Sequence, residues 1–348
     1  MRIAVYAISK NEEQFVERFC NSAKDADLVM IADTGSTDDT VGLARDHGAI
    51  VNHICITPWR FDKARDAALA LIPKDYEVCI ALDLDEILEP GWREEIERVW
   101  VPGVTTRLNY LYDWGQGVKF YTNKIHGRKG YHWKPPCHEM LALDPRVTEV
   151  MAHTDKQLIT HLPDNTKSRG QYMELLEVGV KEDPHCPRNS FYYARELTFY
   201  EQHDKAIAEL NRYLALPLAL WNHERAYAMR LIGQSMFGKG EDGTPWYRKA
   251  VIEAPEVREP WVELANACYK TSRWEECYSA ACTALKITER QYNYTSKPES
   301  WGSLSHDLAA IAAYRMGLKD RAIEHGTKAL EIAPDDERLK KNLEYYKE

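Results

Sequence analysis

Short apolar runs alternate with amphipathic stretches through the first part of the chain. Arg2 to Ile8, Leu28 to Ala32, Ile50 to Ile56 and Val78 to Leu82 each end in polar residues, the pattern of buried strands. A helix carrying Phe15, Val16, Phe19 and Ala23 on one side falls between the first two runs. A second reaches about His47, with Gly48 placed to stop it, and a third runs from about Asp62 to Leu71, before Pro73. Asn11 with Gln14, and Ser36 with Asp39, fit reciprocal N-caps for the first two helices. This alternation predicts an α/β fold with a largely parallel sheet.

Further along, Val104 to Tyr112 reads as a strand, Trp114 to Gly117 as a break, and Leu158 to His161 as a short run ending in histidine. Helical periodicity takes over from about Thr166. Tyr172 to Val180 is amphipathic, Glu182 to Pro187 is a break, and four related helix pairs follow, led by Phe191, Tyr227, Trp261 and Leu308. Ala250 and Ala284 are 34 positions apart, the tetratricopeptide period, whereas Ala284 and Ala329 are 45 apart, so an insertion falls near Tyr292 to Ser305. Asp336 to Tyr346 reads as a charged capping helix. The tryptophans at 221, 246, 261, 274 and 301 sit at core spacings. The expected domains are 1–165, α/β, and 166–348, an all-α repeat array.

Composition narrows the class. The chain has 348 residues, 44% hydrophobic, with a formal net charge of −9. That balance argues against a general nucleic-acid coat. No window spans a bilayer, and Met1 to Ile8 is too short for a signal peptide. The eight cysteines contain no Cys-x-x-Cys, which predicts reduced thiols in a cytoplasmic protein.

Three polar clusters fall at strand ends: Ser9-Lys10-Asn11, Asp33-Thr34-Gly35 and Asp83-Leu84-Asp85. Open α/β sheets bind ligands outside the carboxyl ends of their strands. In an extended strand Asp83 and Asp85 share a face, and paired carboxylates there suit a hard divalent cation. No Gly-x-Gly-x-x-Gly follows the first strand and no phosphate-binding loop ending in Gly-Lys-Ser/Thr is present, so a diphosphate would need a metal. Lys119 to Met140 is rich in aromatic and basic residues, among them Phe120, Tyr121, Lys124, Arg128 and Trp133. Such residues suit sugar rings and phosphates, or equally a half-buried hairpin.

Four segments, in order, resemble family-2 inverting glycosyltransferases. They are Ile8-Ser-Lys-Asn-Glu-Glu13, Ile31-Ala-Asp-Thr-Gly-Ser-Thr-Asp-Asp-Thr40, Trp59-Arg-Phe-Asp-Lys-Ala-Arg-Asp66 and Leu82-Asp-Leu-Asp-Glu86. Pro136-Cys-His-Glu-Met140 and Asp183 to Glu196 resemble the tetratricopeptide-bearing branch. The resemblance implies a GT-A fold, a nucleotide-sugar donor and Mn²⁺ or Mg²⁺. By the same resemblance Asp33 contacts the nucleotide base with Ser9 near it, Asp62 and Arg65 line the donor site, and Asp83 lies near the ribose. Asp85 and His161 hold the metal. Glu139 is the candidate base, with His138 as an orienting neighbour. Asp66 departs from the family, which often has Asn there. Asp33 could instead simply close its turn, and Arg65 could be an ion-pair partner.

The expected activity is metal-dependent inverting transfer, of a hexose, from a UDP-sugar. The acceptor would be a glycan, protein or peptide, with a nucleobase the weakest choice given the net charge. Repeats of this kind also predict a partner surface, including a homodimer. A scaffold with a relic catalytic domain is the alternative. A sugar nucleotidyltransferase would need a glycine-rich loop after the first strand, and that loop is absent from the sequence.

Overall fold

A computed structural model describes residues 1–115, 117–163 and 172–348. They form two compact units, Met1–Gly179 and Val180–Glu348. The expected boundary at 165/166 lies outside the described residues.

In the first unit, β1 (Ile3–Ser9), β2 (Leu28–Asp33), β3 (Ile50–His53) and β4 (Val78–Ala81) fall on the four apolar runs. Helices α1 (Glu13–Ser22), α2 (Thr40–Asp46) and α3 (Phe61–Leu71) lie between them. Then come β5 (Glu86–Leu88), α4 (Trp92–Val99), β6 (Arg107–Gly115), β7 (Val118–Gly127), β8 (Tyr131–Lys134), β9 (Met140–Leu143) and β10 (Met151–His161). The main sheet has the order β3-β2-β1-β4-β7-β6-β10-β5, and β8 pairs with β9 separately. From β3 to β4 every pairing is parallel, as expected. The sheet becomes mixed where the β6–β7 hairpin inserts, because a short turn can join only antiparallel strands.

The alternation along β1 assigns its side chains to two cores. Ile3, Val5 and Ala7 pack with Phe15, Val16 and Phe19 of α1 and Trp92 and Ile96 of α4. Ala4 and Tyr6 face the other way, against Ala68 and Leu69 of α3 and Tyr131 and Trp133 of β8. With both faces covered, the carboxyl edge of β1, β2 and β4 is where polar side chains can gather.

The expected local caps do not form. Asn11 has φ 55°, and its Oδ1 accepts from Thr37 N at 2.7 Å. Ser36 donates to Asp33 at 2.5 Å. The two helix starts cap each other instead. Glu12 N donates to Thr40 Oγ1 (2.7 Å), Glu13 N to Asp38 Oδ2 (3.1 Å), and Asp39 N to Glu13 Oε2 (2.9 Å). Backbone N–H groups at helix starts lack intrahelical partners, and here a neighbouring loop supplies them.

After α5 (Tyr172–Glu182), which contains the division between the units, the helices pair as predicted. They are α6 (Pro187–Phe199) with α7 (His203–Ala215), α8 (Asn222–Gly238) with α9 (Thr244–Glu253), α10 (Arg258–Lys270) with α11 (Trp274–Lys286), and α12 (Leu304–Arg315) with α13 (Lys319–Ile332). The last helix is α14 (Glu337–Lys347). Ala250, Ala284 and Ala329 are all fully buried, which explains why their spacing carries the period. Gly233 permits close packing: a Cβ there would stand 2.6 Å from the Tyr247 ring. None of the five tryptophans is fully buried: Trp221 is exposed and the others are half-buried, with Trp246 and Trp261 packed against the edges of apolar clusters built mainly from Ala, Leu, Val, Cys and Tyr. No helix among the described residues is long and apolar enough to cross a membrane. The eight cysteines are all free thiols.

Candidate active site

Ser9 and Asp33 are register partners at the ends of β1 and β2. Ser9 Oγ donates to Asp33 Oδ1 (3.0 Å), joining the Ser36 hydroxyl. Asp33 Oδ2 accepts from Gly35 N (3.0 Å) and Ser36 N (3.1 Å). Gly35 sits at φ 105°, which lets the turn fold back onto the carboxylate. His53 Nδ1 lies 3.3 Å from the same oxygen. Burial alone would raise the Asp33 pKa, but the Ser36, Gly35 and Ser9 hydrogen bonds outweigh it and hold the carboxyl below its usual range. Asp33 thus closes its turn, and its donors are already in place.

The next strand end differs from its expected geometry. β4 stops at Ala81, and Asp83 to Asp85 form a turn in which Glu86 N donates to Asp83 O (2.9 Å). The two aspartates therefore do not act as one strand face. Asp83 accepts from Arg65 Nη2 (2.6 Å) and Lys124 Nζ (3.2 Å), whereas Asp85 Oδ2 lies 3.4 Å from His161 Nε2.

Arg65, on α3, is the hub. Its Nε donates to Glu139 Oε1 (2.5 Å), its guanidinium stacks over Trp133 at 5.2 Å, and its Nη1 is buried without a hydrogen-bond partner among the described residues. Burial opposes its charge, but Asp83 and Glu139 more than offset this and raise its pKa. Lys124, on β7, continues the chain to Glu86, reaching both oxygens (2.7 and 2.9 Å), and Tyr112 donates to Glu86 at 2.5 Å. Burial would raise the Asp83 pKa, but Arg65 and Lys124 hold it far below the usual carboxylate range. Glu86 is pushed up by burial, and the negative Asp83 adds to this against the pull of Lys124.

His161 ends β10, opposite Glu86. Its ring packs on Trp114 (4.4 Å), and its Nδ1 faces Trp114 O at 3.3 Å. Burial disfavours its cation, but Asp85 outweighs that and raises its pKa. Among the described residues no group of three or more His, Cys, Asp or Glu side chains is gathered around a metal position. The pair Asp85–His161 does supply one oxygen and one nitrogen donor, a partial set of the kind a divalent ion completes with phosphate oxygens and water.

Of the expected site residues, Arg65, Asp83 and Glu139 meet directly, Asp85 and His161 meet each other, and Ser9 and Asp33 form a third group. Asp62 is held at the start of α3 by Arg60 (3.0 and 2.8 Å). His138 stacks on Tyr172 with φ 51°. Asp66 accepts from Trp133 N at 2.7 Å, so it anchors the β8 strand. The pairing roles of Lys124, Glu86, Tyr112 and Arg60 were not anticipated. Lys124 reaches the site only because β7 runs antiparallel beside β4, with Ile125 opposite Ile80. No local pattern announces that neighbour.

Comparisons with known proteins agree in part. No protein-family model matches the chain. A Rickettsia conorii protein named an uncharacterized glycosyltransferase is 35% identical over 101 residues, covering 28% of this chain and 34% of that protein. One from Rickettsia typhi, named likewise, is 33% identical over 101 residues, covering 28% and 33%. The chain thus spans about a third of the length of these curated relatives. Among solved structures, S. aureus TarS 1–349 in complex with UDP-GlcNAc aligns with TM-score 0.43 and 14% identity, over 72% of this chain and 92% of that one. Glucosyl-3-phosphoglycerate synthase from Mycobacterium tuberculosis, with Mn²⁺, UDP and glucosyl-3-phosphoglycerate, aligns at 0.28 and 23%, over 32% and 44%. YrrB, a tetratricopeptide protein with an unusual peptide-binding site, aligns at 0.39 and 13%, over 51% and 83%. Scores this low carry no argument about activity. The architecture rests on the strand order and helix pairs: an α/β unit of GT-A type and an all-α tetratricopeptide-like array.

Proposed function

We propose that the chain is a glycosyltransferase that takes a sugar from a nucleotide-diphosphate sugar, a UDP-sugar by resemblance, to an acceptor nucleophile with inversion. The observation that carries this reading is the meeting of Glu139, Arg65 and Asp83 beside Asp85 and His161 at the carboxyl edge of β4. Four carboxylates (Asp83, Asp85, Glu86, Glu139) face two permanent cations (Arg65, Lys124) there. That imbalance suits a divalent cation.

Asp85 and His161 would hold the ion, Mn²⁺ or Mg²⁺, which when bound supplies charge neutralisation to the leaving diphosphate. Arg65 positions Glu139 and Asp83 together. Arg65 engages Oε1 of Glu139, so Oε2 is the oxygen that takes the acceptor proton as the new bond to the anomeric carbon forms. Ser9, Asp33 and Asp62 shape the donor side through the turns that they hold.

A thermal-shift and calorimetric screen of nucleotide sugars, with and without Mn²⁺, tests donor and metal together. One nucleotide sugar should stabilise the wild type only when Mn²⁺ is present, and Asp85→Ala should abolish that shift. If no nucleotide sugar binds under either condition, the enzyme reading fails. That result is the one expected of the second reading, a scaffold with a relic catalytic unit. What favours the scaffold is that Asp83, Glu86 and Glu139 already have basic partners in the protein.

A further inference from the structure

The insertion between α11 and α12 does not hang from the array. It ends in a short 3₁₀ helix (Pro298–Trp301), and its preceding residues lie against the first helices of successive pairs. The Tyr294 hydroxyl donates to Glu224 of α8, and its ring meets Trp221 edge-on at 5.3 Å. Asn293 Nδ2 faces His223 Nδ1 at 3.2 Å. Lys297 Nζ donates to Glu263 of α10 (2.7 Å), the carboxylate that Arg230 of α8 holds in a fork (2.9 and 2.7 Å). Glu259 of α10 accepts from Ser296 Oγ (2.8 Å), Lys297 N (3.1 Å) and Trp301 Nε1 (2.9 Å). Asn293 Oδ1 closes the turn by accepting from Thr295 N (2.9 Å) and Thr295 Oγ1 (2.6 Å).

These contacts are mostly polar, with Tyr294 as the aromatic anchor: its ring also lies 6.4 and 6.1 Å from the buried rings of Phe191 and Tyr192 of α6. The apolar clusters that join α8 to α14 among the described residues contain Tyr247, Val251, Leu264, Cys268, Ala281 and Leu308, but no residue from 288–303. The segment is instead gripped by three carboxylates, one guanidinium and an aromatic rim. Yet Thr295 and Ser296 are only 2% and 7% exposed.

We infer that α8 and α10 form a peptide-binding groove that the chain's own segment Tyr292–Trp301 occupies in cis. The ligand class is a short turn-forming peptide with a tyrosine and, three residues on, a lysine. Tyrosine fits Glu224 and the aromatic rim, and lysine fits Glu263. A partner peptide must therefore displace this segment before it can use the groove.

The test replaces residues 291–300 with a Gly-Ser segment of equal length in the full chain. A labelled peptide of residues 291–302 is then titrated by fluorescence anisotropy. Saturable binding to the replaced chain is expected, with binding to wild type at least roughly tenfold weaker, and Glu263→Gln should weaken it in the replaced chain. A folded, monodisperse replaced chain that ignores the peptide overturns the inference, as does equal binding to wild type. Should the replaced chain not fold, protease sites on both flanks of the segment in the otherwise intact chain give a second measurement by native mass spectrometry. The excised peptide should stay bound and exchange with excess labelled peptide. Prompt release, or retention without exchange, would mark it as a weak contact or a fixed brace. None of these readouts depends on transferase activity.

Discussion

Two buried arginines, one in each unit, have almost the same surroundings but different completeness. Arg230 stacks over Tyr227 at 4.7 Å, gives two donors to Glu263, and turns Nη1 toward Thr295 O at 3.5 Å. Arg65 stacks over Trp133 and divides two donors between Glu139 and Asp83, but its Nη1 has no hydrogen-bond partner among the described residues. A buried donor without a partner is unfavourable by about 1–3 kcal/mol, and Trp100 Nε1 and Arg258 Nε are left in the same state elsewhere among the described residues. The Arg230 network is closed by the chain itself. The Arg65 network is open only in that one of its donors is left unpaired. Breaking the first should be felt in stability, and breaking the second in binding and turnover.

Glu139→Gln probes the open network and carries the largest expected effect. The amide oxygen can still accept from Arg65 Nε, so the local structure survives, but the side chain can no longer take a proton. Transfer should fall by about 10²- to 10⁴-fold with donor binding retained. Its melting temperature should drop by no more than about 4 °C. Full transfer activity in this variant would remove Glu139 as the base.

Arg230→Met probes the closed network. Glu263 keeps Lys297 as a partner but loses the fork, so the expected loss is about 3 kcal/mol of stability, read by urea unfolding. Metal-dependent donor binding should be unchanged. A loss well under about 1 kcal/mol would mean that Lys297 alone satisfies the site, and the contrast between the two arginines would blur.

What could be read from the sequence follows from how far each interaction reaches. The strands β1 to β4 and the helices between them were legible because one side-chain period decides each, and Ala250, Ala284 and Ala329 showed the repeats because all three are buried alike. Arg65, Asp83 and Glu139 could be singled out as residues, but not as a triad. The triad exists because α3 packs on the face of the sheet that also carries β8. The helix caps failed for the same reason. Asn11 and Ser36 sit where local caps belong, yet their partners are each other's loops. Lys124 depends on a strand order that no local periodicity encodes.

Asp33 is the smallest and most discriminating case, because it lies in the first unit yet has the closed character of Arg230. Resemblance makes it a contact for the nucleotide base; geometry makes it the clasp of its own turn. In Asp33→Asn the amide oxygen can still accept from Gly35 N and Ser36 N, while the amide nitrogen donates to the Ser9 and Ser36 hydroxyls, which rotate to accept. Only the charge assistance is lost, about 1 kcal/mol. Because folding lowers the Asp33 pKa, its contribution is present above the unfolded value of about 3.9 and is lost as the pH falls through the folded one. The stability gap between wild type and Asp33→Asn should therefore hold near neutrality and close in acid, as measured by urea unfolding over a pH series. If Asp33 serves the turn alone, the affinity for the nucleotide found in the screen should barely change in Asp33→Asn. A fall of about tenfold or more, with the stability gap as small as expected, would move Asp33 from the closed class to the open one.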